Sequence, residues 1–187
     1  MTAATARYIA FLRGMNVGGH RVSMATLKSL FEGDGFTNVE TFIASGNIIF
    51  DAAGRTAPAA LERRLETMLH GALGYAVATF LRTPSQLAAI VAHTPFSAID
   101  AATPGHTIHV GFLRGAPPTA VADDLRARAT VMDAFAMHDR ELYWLCRGRT
   151  TDSLVSWSKV EKALMLDLTM RNLTTVSKLS AKVGSHA

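Results

Sequence analysis

The chain has 187 residues, enough for one medium domain or two small fused ones. Hydrophobic residues make up 49% and charged residues 18%, a balance that supports a packed core and excludes a disordered chain. The formal charge of +4 is spread along the chain, which permits an anionic partner and excludes a basic nucleic-acid tail.

The first element predicted is a strand over Arg7–Arg13. It runs into the loop Arg13-Gly14-Met15-Asn16-Val17-Gly18-Gly19-His20, ahead of a helix over Ser23–Glu32 with Ser23 as N-cap. Backbone N–H groups and positive charge at a strand-to-helix junction are suited to an anion. Val39–Ala44 and Ile48–Asp51 are short β-prone runs around the tight turn Ser45-Gly46-Asn47. Pro58–Leu73 reads as a helix with Leu61, Leu65, Met68 and Leu69 as its apolar stripe, and Val77–Leu81 as a fourth strand. The order is β-α-β-β-α-β, the ferredoxin-like arrangement.

Pro84–His93 follows as a helix, and Thr94–Gly105, with Pro95, Pro104 and Gly105, as a linker. The second half then restarts the pattern: a strand over His106–Leu113, a helix over Pro118–Ala129, and strands Ala134–His138 and Leu142–Cys146 around Asp139-Arg140. Helices over Ser153–Leu164 and Thr174–Val183 end it, with no closing strand evident. Phe11-Leu12-Arg13-Gly14 recurs as Phe112-Leu113-Arg114-Gly115 at the same place in the element order, so the second half is expected to be a partial repeat. The fold expected is therefore α+β: a ferredoxin-like subdomain over 7–83, a helix and linker over 84–105, and a second α+β subdomain over 106–187 packed on the first.

Cys146, the single cysteine, excludes an internal disulfide or a paired-cysteine zinc site, and in a strand-like apolar run it reads as a buried thiol. Met1–Ala6 lacks the pattern of a signal peptide, and no uncharged apolar run is long enough to span a bilayer. A cytoplasmic protein with no membrane association is the expectation.

Three segments carry a family resemblance. They are Tyr8-Ile9-Ala10-Phe11-Leu12-Arg13-Gly14-Met15-Asn16-Val17-Gly18-Gly19-His20 continuing through Met24, then Gly35-Phe36-Thr37-Asn38-Val39 with Ala44-Ser45-Gly46-Asn47-Ile48-Ile49-Phe50, and Lys159-Val160-Glu161-Lys162 with Thr169-Met170-Arg171-Asn172-Leu173-Thr174-Thr175-Val176-Ser177-Lys178-Leu179. Together they resemble the bacterial family catalogued as domain of unknown function 1697. The resemblance implies a two-part α+β fold and brings no established activity. Leu173 departs from the tryptophan usual in that family pattern.

Two groups of residues are candidates for binding. In a ferredoxin-like order the end of the first strand and the second-to-third hairpin lie on one sheet edge, which brings Arg13, Asn16, Gly18 and Gly19 near Ser45 and Asn47. A guanidinium, amides, a hydroxyl and flexible backbone suit a phosphate or carboxylate, while glycine and asparagine also serve turns. The second group is Lys159, Lys162, Arg171 and Asn172, accompanied by Trp157 and Lys178 near the start of the last helix. The Arg13–His20 loop is neither a Walker A nor a G-x-G-x-x-G motif, so nucleotide binding has no motif support, and no cofactor is expected.

Catalytic templates do not fit. His106 and His109, three apart on a strand, point to opposite faces and cannot chelate together, so no metal site is expected. His20 and His138 are acid or base candidates without a carboxylate placed beside them by sequence. An RNA platform on the same β-α-β-β-α-β order would need exposed aromatics on its middle strands, where Phe11 and Phe50 stand. Both faces of the first strand are apolar, so the sheet's second face is expected to be covered. The leading expectation is a protein that binds an anionic, phosphate-bearing ligand, either a small molecule such as a nucleotide or metabolite, or a nucleic acid. The alternatives are an enzyme acting on a phosphorylated or carboxylated substrate and an interaction module whose loops are structural. The oligomeric state is not legible.

Overall fold

The computed structural model describes residues 5–15, 21–43, 46–54 and 56–185. In chain order these form β1 (Thr5–Leu12), α1 (Met24–Gly33), β2 (Thr37–Phe42), β3 (Asn47–Ala53), α2 (Pro58–Leu73), β4 (Thr79–Arg82) and α3 (Pro84–Ala92). They continue with α4 (Ala98–Ala102), β5 (His106–Leu113), α5 (Thr119–Ala127), β6 (Asp133–His138), β7 (Glu141–Arg147), α6 (Trp157–Leu164), β8 (Leu168–Asn172) and α7 (Leu173–Gly184). The fold is α+β with two four-stranded antiparallel sheets, ordered β2-β3-β1-β4 and β6-β7-β5-β8. The chain divides into two compact units: Met1–Leu87 with Val183–Ala187, and Ala88–Lys182.

In the first unit Ser23 caps α1, its Oγ accepting the Thr26 N–H at 3.0 Å. Tyr8, Ala10 and Leu12 of β1 share a core with Leu27 and Phe31 of α1 and with Leu61, Leu65 and Leu69 of α2. Phe36 and Phe31 close edge-on around Phe50, with centroids 4.8 and 5.2 Å away. Ile9, Phe11, Ile49 and Phe80, on the opposite face, are buried as well. Phe11 and Phe50 are both fully buried, so neither is available as a platform for bases.

The second unit repeats the first in detail. The sheet order is the same, and β8 supplies the closing strand that the sequence pattern did not reveal. Register aligns the two: Leu12 pairs with Thr79 and Ile9 with Arg82, as Leu113 pairs with Leu168 and Val110 with Arg171. The Leu12 N–H donates to Gly46 in the hairpin (2.8 Å), and the Leu113 N–H donates to Arg140 in the other hairpin (3.0 Å). The edge strands β4 and β8 are each met by a helix carboxylate: Glu66 of α2 accepts the Thr79 N–H at 2.8 Å, and Glu161 of α6 accepts the Leu168 N–H at 3.2 Å. Glu62 does the same for the Leu81 N–H at 2.9 Å.

Three further elements differ from the sequence reading. The predicted helix over Ser153–Leu164 starts at Trp157, because the Ser153 Oγ is engaged by Asp133 and a 3-10 turn occupies Thr150–Asp152. The predicted linker contains α4, capped by the Ser97 Oγ. The last helix starts at Leu173 instead of Thr174, and Asn172 caps it: its side-chain oxygen accepts the Thr174 N–H at 2.8 Å.

Candidate ligand-binding site

The sheet edge beyond β1 is built as its topology requires. Gly46 takes a left-handed φ of 71°, and a Cβ there would meet the Met15 Cγ at 3.1 Å and the Leu12 Cβ at 3.2 Å. The hairpin therefore lies against the end of β1. The Arg13 N–H donates to the Ala78 carbonyl, and the Tyr75 hydroxyl donates to the Met15 carbonyl at 3.3 Å. Asn47 is fully buried and its amide donates to the Phe42 carbonyl at 3.1 Å, so it closes the hairpin from within. Asn16, Gly18, Gly19 and Ser45 lie outside the described residues, as does His20.

The second predicted group divides. Arg171 pairs with Val110 and so shares the sheet face opposite to the one that packs on α5 and α6. Its guanidinium donates to the Thr169 hydroxyl at 2.9 Å and the Met170 carbonyl at 2.8 Å, and burial pulls its pKa down to about 10. Asn172 is occupied as a helix cap. Lys162 lines a shallow depression with Glu161, Met165, Leu166 and Asp167, and Lys178 is exposed on α7. Trp157 packs edge-on against Trp144, with centroids 4.8 Å apart.

Lys159 has the most distinctive setting. It is an exposed residue at the rim of a cavity of about 550 Å³ in the second unit, within the range of small-molecule sites. The wall is mainly apolar: Leu125 from α5, Met132 and Phe135 around the start of β6, and Leu154, Val155 and Val160 leading into α6. Leu154 is 97% exposed, and Val131, next to the lining residue Met132, is 94% exposed.

Four charges join the wall, and two are matched. Arg128 holds the Asp124 carboxylate at 2.7 Å, and Asp152 pairs with Arg149 at 3.1 Å. Among the described residues, no carboxylate lies within ion-pair distance of Lys159 and no cation within that distance of Asp133. Asp133 is 3% exposed and held by hydrogen bonds: the Trp144 Nε1 donates to its Oδ1 at 2.7 Å, and the Ser153 Oγ donates to the same oxygen at 2.9 Å. The Thr130 hydroxyl accepts the Asp133 N–H at 2.9 Å, and its contact with Oδ2 is long, at 3.4 Å. Oδ2 therefore retains acceptor capacity.

A family model described as protein of unknown function (DUF1697) matches residues 5–143. The chain belongs to this family. No curated protein matches it. Among solved structures, the conserved bacterial protein SP0830 from Streptococcus pneumoniae is similar: 22% identity, with 97% of this chain and 99% of that one covered and a TM-score of 0.73. At that identity the likeness is one of fold.

Other titratable groups of this DUF1697 chain sit in structural settings. Asp100 takes a two-pronged contact from Arg147, at 2.8 and 3.1 Å, which pulls its carboxyl below the usual range. His106 hydrogen-bonds the Asp100 carbonyl, and His109 packs on Trp144, so the two histidines serve opposite sides of β5. His93 stacks on His138, with ring centroids 4.1 Å apart, and burial followed by the charge of His138 lowers its pKa. Among the described residues no cluster of three or more metal-ligating side chains occurs, and no helix is long and apolar enough to cross a membrane. Sequence reasoning missed Asp133. The signal available was a tryptophan in an apolar strand, whose buried indole N–H needs an acceptor.

Proposed function

We propose that this protein binds a small anionic ligand, carboxylated or phosphorylated, in the cavity of its second unit. The observation that supports this reading is Lys159, a cation without an ion-pair partner among the described residues, at the rim of an apolar cavity. An ammonium there attracts an anionic group while the apolar lining takes the body of the ligand. The charge pattern favours a metabolite over nucleic acid. Arg7, Arg64, Arg126, Arg128, Arg147 and Arg149 each sit on an aspartate and do not form a basic track.

The test is a thermal-shift panel of phosphorylated and carboxylated metabolites on the wild-type chain, Lys159→Gln and Arg13→Ala. A ligand at about 100 times its dissociation constant adds about 2.7 kcal/mol of stability. The expected result is a shift that Lys159→Gln abolishes and Arg13→Ala leaves intact. The reverse pattern would move the site to the sheet edge beside Gly46 and refute this assignment. Absence of any shift would refute the ligand class, and a steep salt-dependent affinity for RNA or DNA would replace it with nucleic acid.

A further inference from the structure

Resting on the reading of the cavity as an anion site, we infer that its ligand is a zwitterion, carrying an ammonium as well as an anionic group on an apolar body, as an apolar α-amino acid does. The inference comes from the second unmatched charge in the wall. Asp133 is nearly fully buried, and no cation lies within ion-pair distance of it among the described residues; the charge of Arg147, whose guanidinium is held by Asp100, reaches it only from farther away. A buried carboxylate is costly unless its charge is met by hydrogen bonds or by an opposite charge. Here one oxygen is met: Oδ1 accepts from the Trp144 indole at 2.7 Å and from the Ser153 hydroxyl at 2.9 Å. The other has only the long contact to Thr130, at 3.4 Å. The carboxylate is thus clamped in orientation through one oxygen, while the other keeps room for a donor.

Lys159 and Asp133 stand in the wall of one cavity with opposite signs, and Arg128 and Asp152, the other two charges there, neutralise themselves on Asp124 and Arg149. An acid with an apolar body would pair with Lys159 and leave Asp133 with its hydrogen bonds and the more distant Arg147 charge alone. An amine would do the opposite. A molecule with both groups satisfies both, and Leu125, Met132, Phe135, Val155 and Val160 offer its side chain an apolar surface. A single matched charge-assisted hydrogen bond corresponds to about tenfold or more in affinity.

The experiment is calorimetric titration of the full chain with L-phenylalanine, 3-phenylpropionate and 2-phenylethylamine, and with L-leucine and its des-amino and decarboxylated counterparts. The expected result is that at least one amino acid binds about tenfold or more tighter than both of its single-charge counterparts. Lys159→Gln should then weaken the amino acid and the acid but not the amine. Asp133→Asn, if it folds, should weaken the amino acid and the amine but not the acid. Since Asp133 also holds Trp144, the ligand series on the wild-type chain decides the matter if that variant does not fold. Acids that bind as tightly as the amino acids would overturn the zwitterion and leave the anion reading standing. Amines that bind while acids and amino acids do not would overturn both, and no binding at all would overturn the zwitterion, with the thermal-shift panel deciding the anion reading.

Discussion

Replacing Asp133 with alanine should destabilise the second unit by an amount set by the donors it leaves behind. The Trp144 indole is 4% exposed, and its N–H loses its acceptor once the carboxylate is gone. An orphaned buried donor costs about 1–3 kcal/mol. Ser153 is half-buried and its hydroxyl can turn to solvent, so its loss is nearer the net value of an ordinary hydrogen bond, about 1 kcal/mol. Part of this is returned because a buried charge is removed. The net expectation is about 1–3 kcal/mol for Asp133→Ala, and about half that for Asp133→Asn, which keeps one acceptor. Urea denaturation followed by tryptophan fluorescence is the assay, because both tryptophans of the chain, Trp144 and Trp157, lie in the second unit. In a Trp144→Phe background the cost of Asp133→Ala should fall by about 1–3 kcal/mol, since the donor to be orphaned is absent. A cost below about 0.5 kcal/mol for Asp133→Ala, the level of an ordinary surface change, would refute the reasoning, as would full additivity with Trp144→Phe.

Two further expectations concern backbone and pH. Gly46→Ala should cost about 1–3 kcal/mol, because a left-handed φ is combined with contacts of 3.1 and 3.2 Å to Met15 and Leu12, whereas Gly74→Ala, at a similar φ of 79° in open space, should cost about 1 kcal/mol. Equal costs in equilibrium unfolding would show that the hairpin does not press on the end of β1. Burial lowers the pKa of both His93 and His109 from the usual 6.5, so the unfolded chain takes up protons first as pH falls. Their contribution to stability is present above pH 6.5 and is lost as pH drops through the folded-state values. The urea midpoint should therefore fall between about pH 7 and 5, and His109→Phe should flatten that slope. An unchanged slope in the variant would exclude His109 as a source.

Much of the fold was legible because local patterns carried it. Strand periodicity in Tyr8–Leu12, the helical stripe of Leu61, Leu65 and Leu69, and the turn residues around Gly46 each point to one element, and their order implies the ferredoxin-like sheet. β8 was not legible. Leu168–Asn172 is five residues long with a buried threonine and an arginine on one face, and it is a strand because β5 lies beside it and Glu161 receives its first N–H. Asn47 and Asn172 are binding candidates in the sequence and hold a hairpin and a helix start in the structure, because chemistry alone does not separate a ligand-binding amide from one that closes a hairpin or caps a helix.

By itself the sequence determined the α+β class, the repeat announced by Phe-Leu-Arg-Gly, the family, and the buried nature of Cys146. Each follows from short-range periodicity or from residue identity read in order. Only the tertiary structure decided which polar residues share a space. Asp133 and Lys159 are 26 positions apart, on a strand and a helix, with no spacing rule linking them. Arg171, one step from Asn172, faces away from α6 because side chains alternate across a strand. A pocket is a property of packing between elements, and a linear pattern records the faces of those elements but not which of them meet.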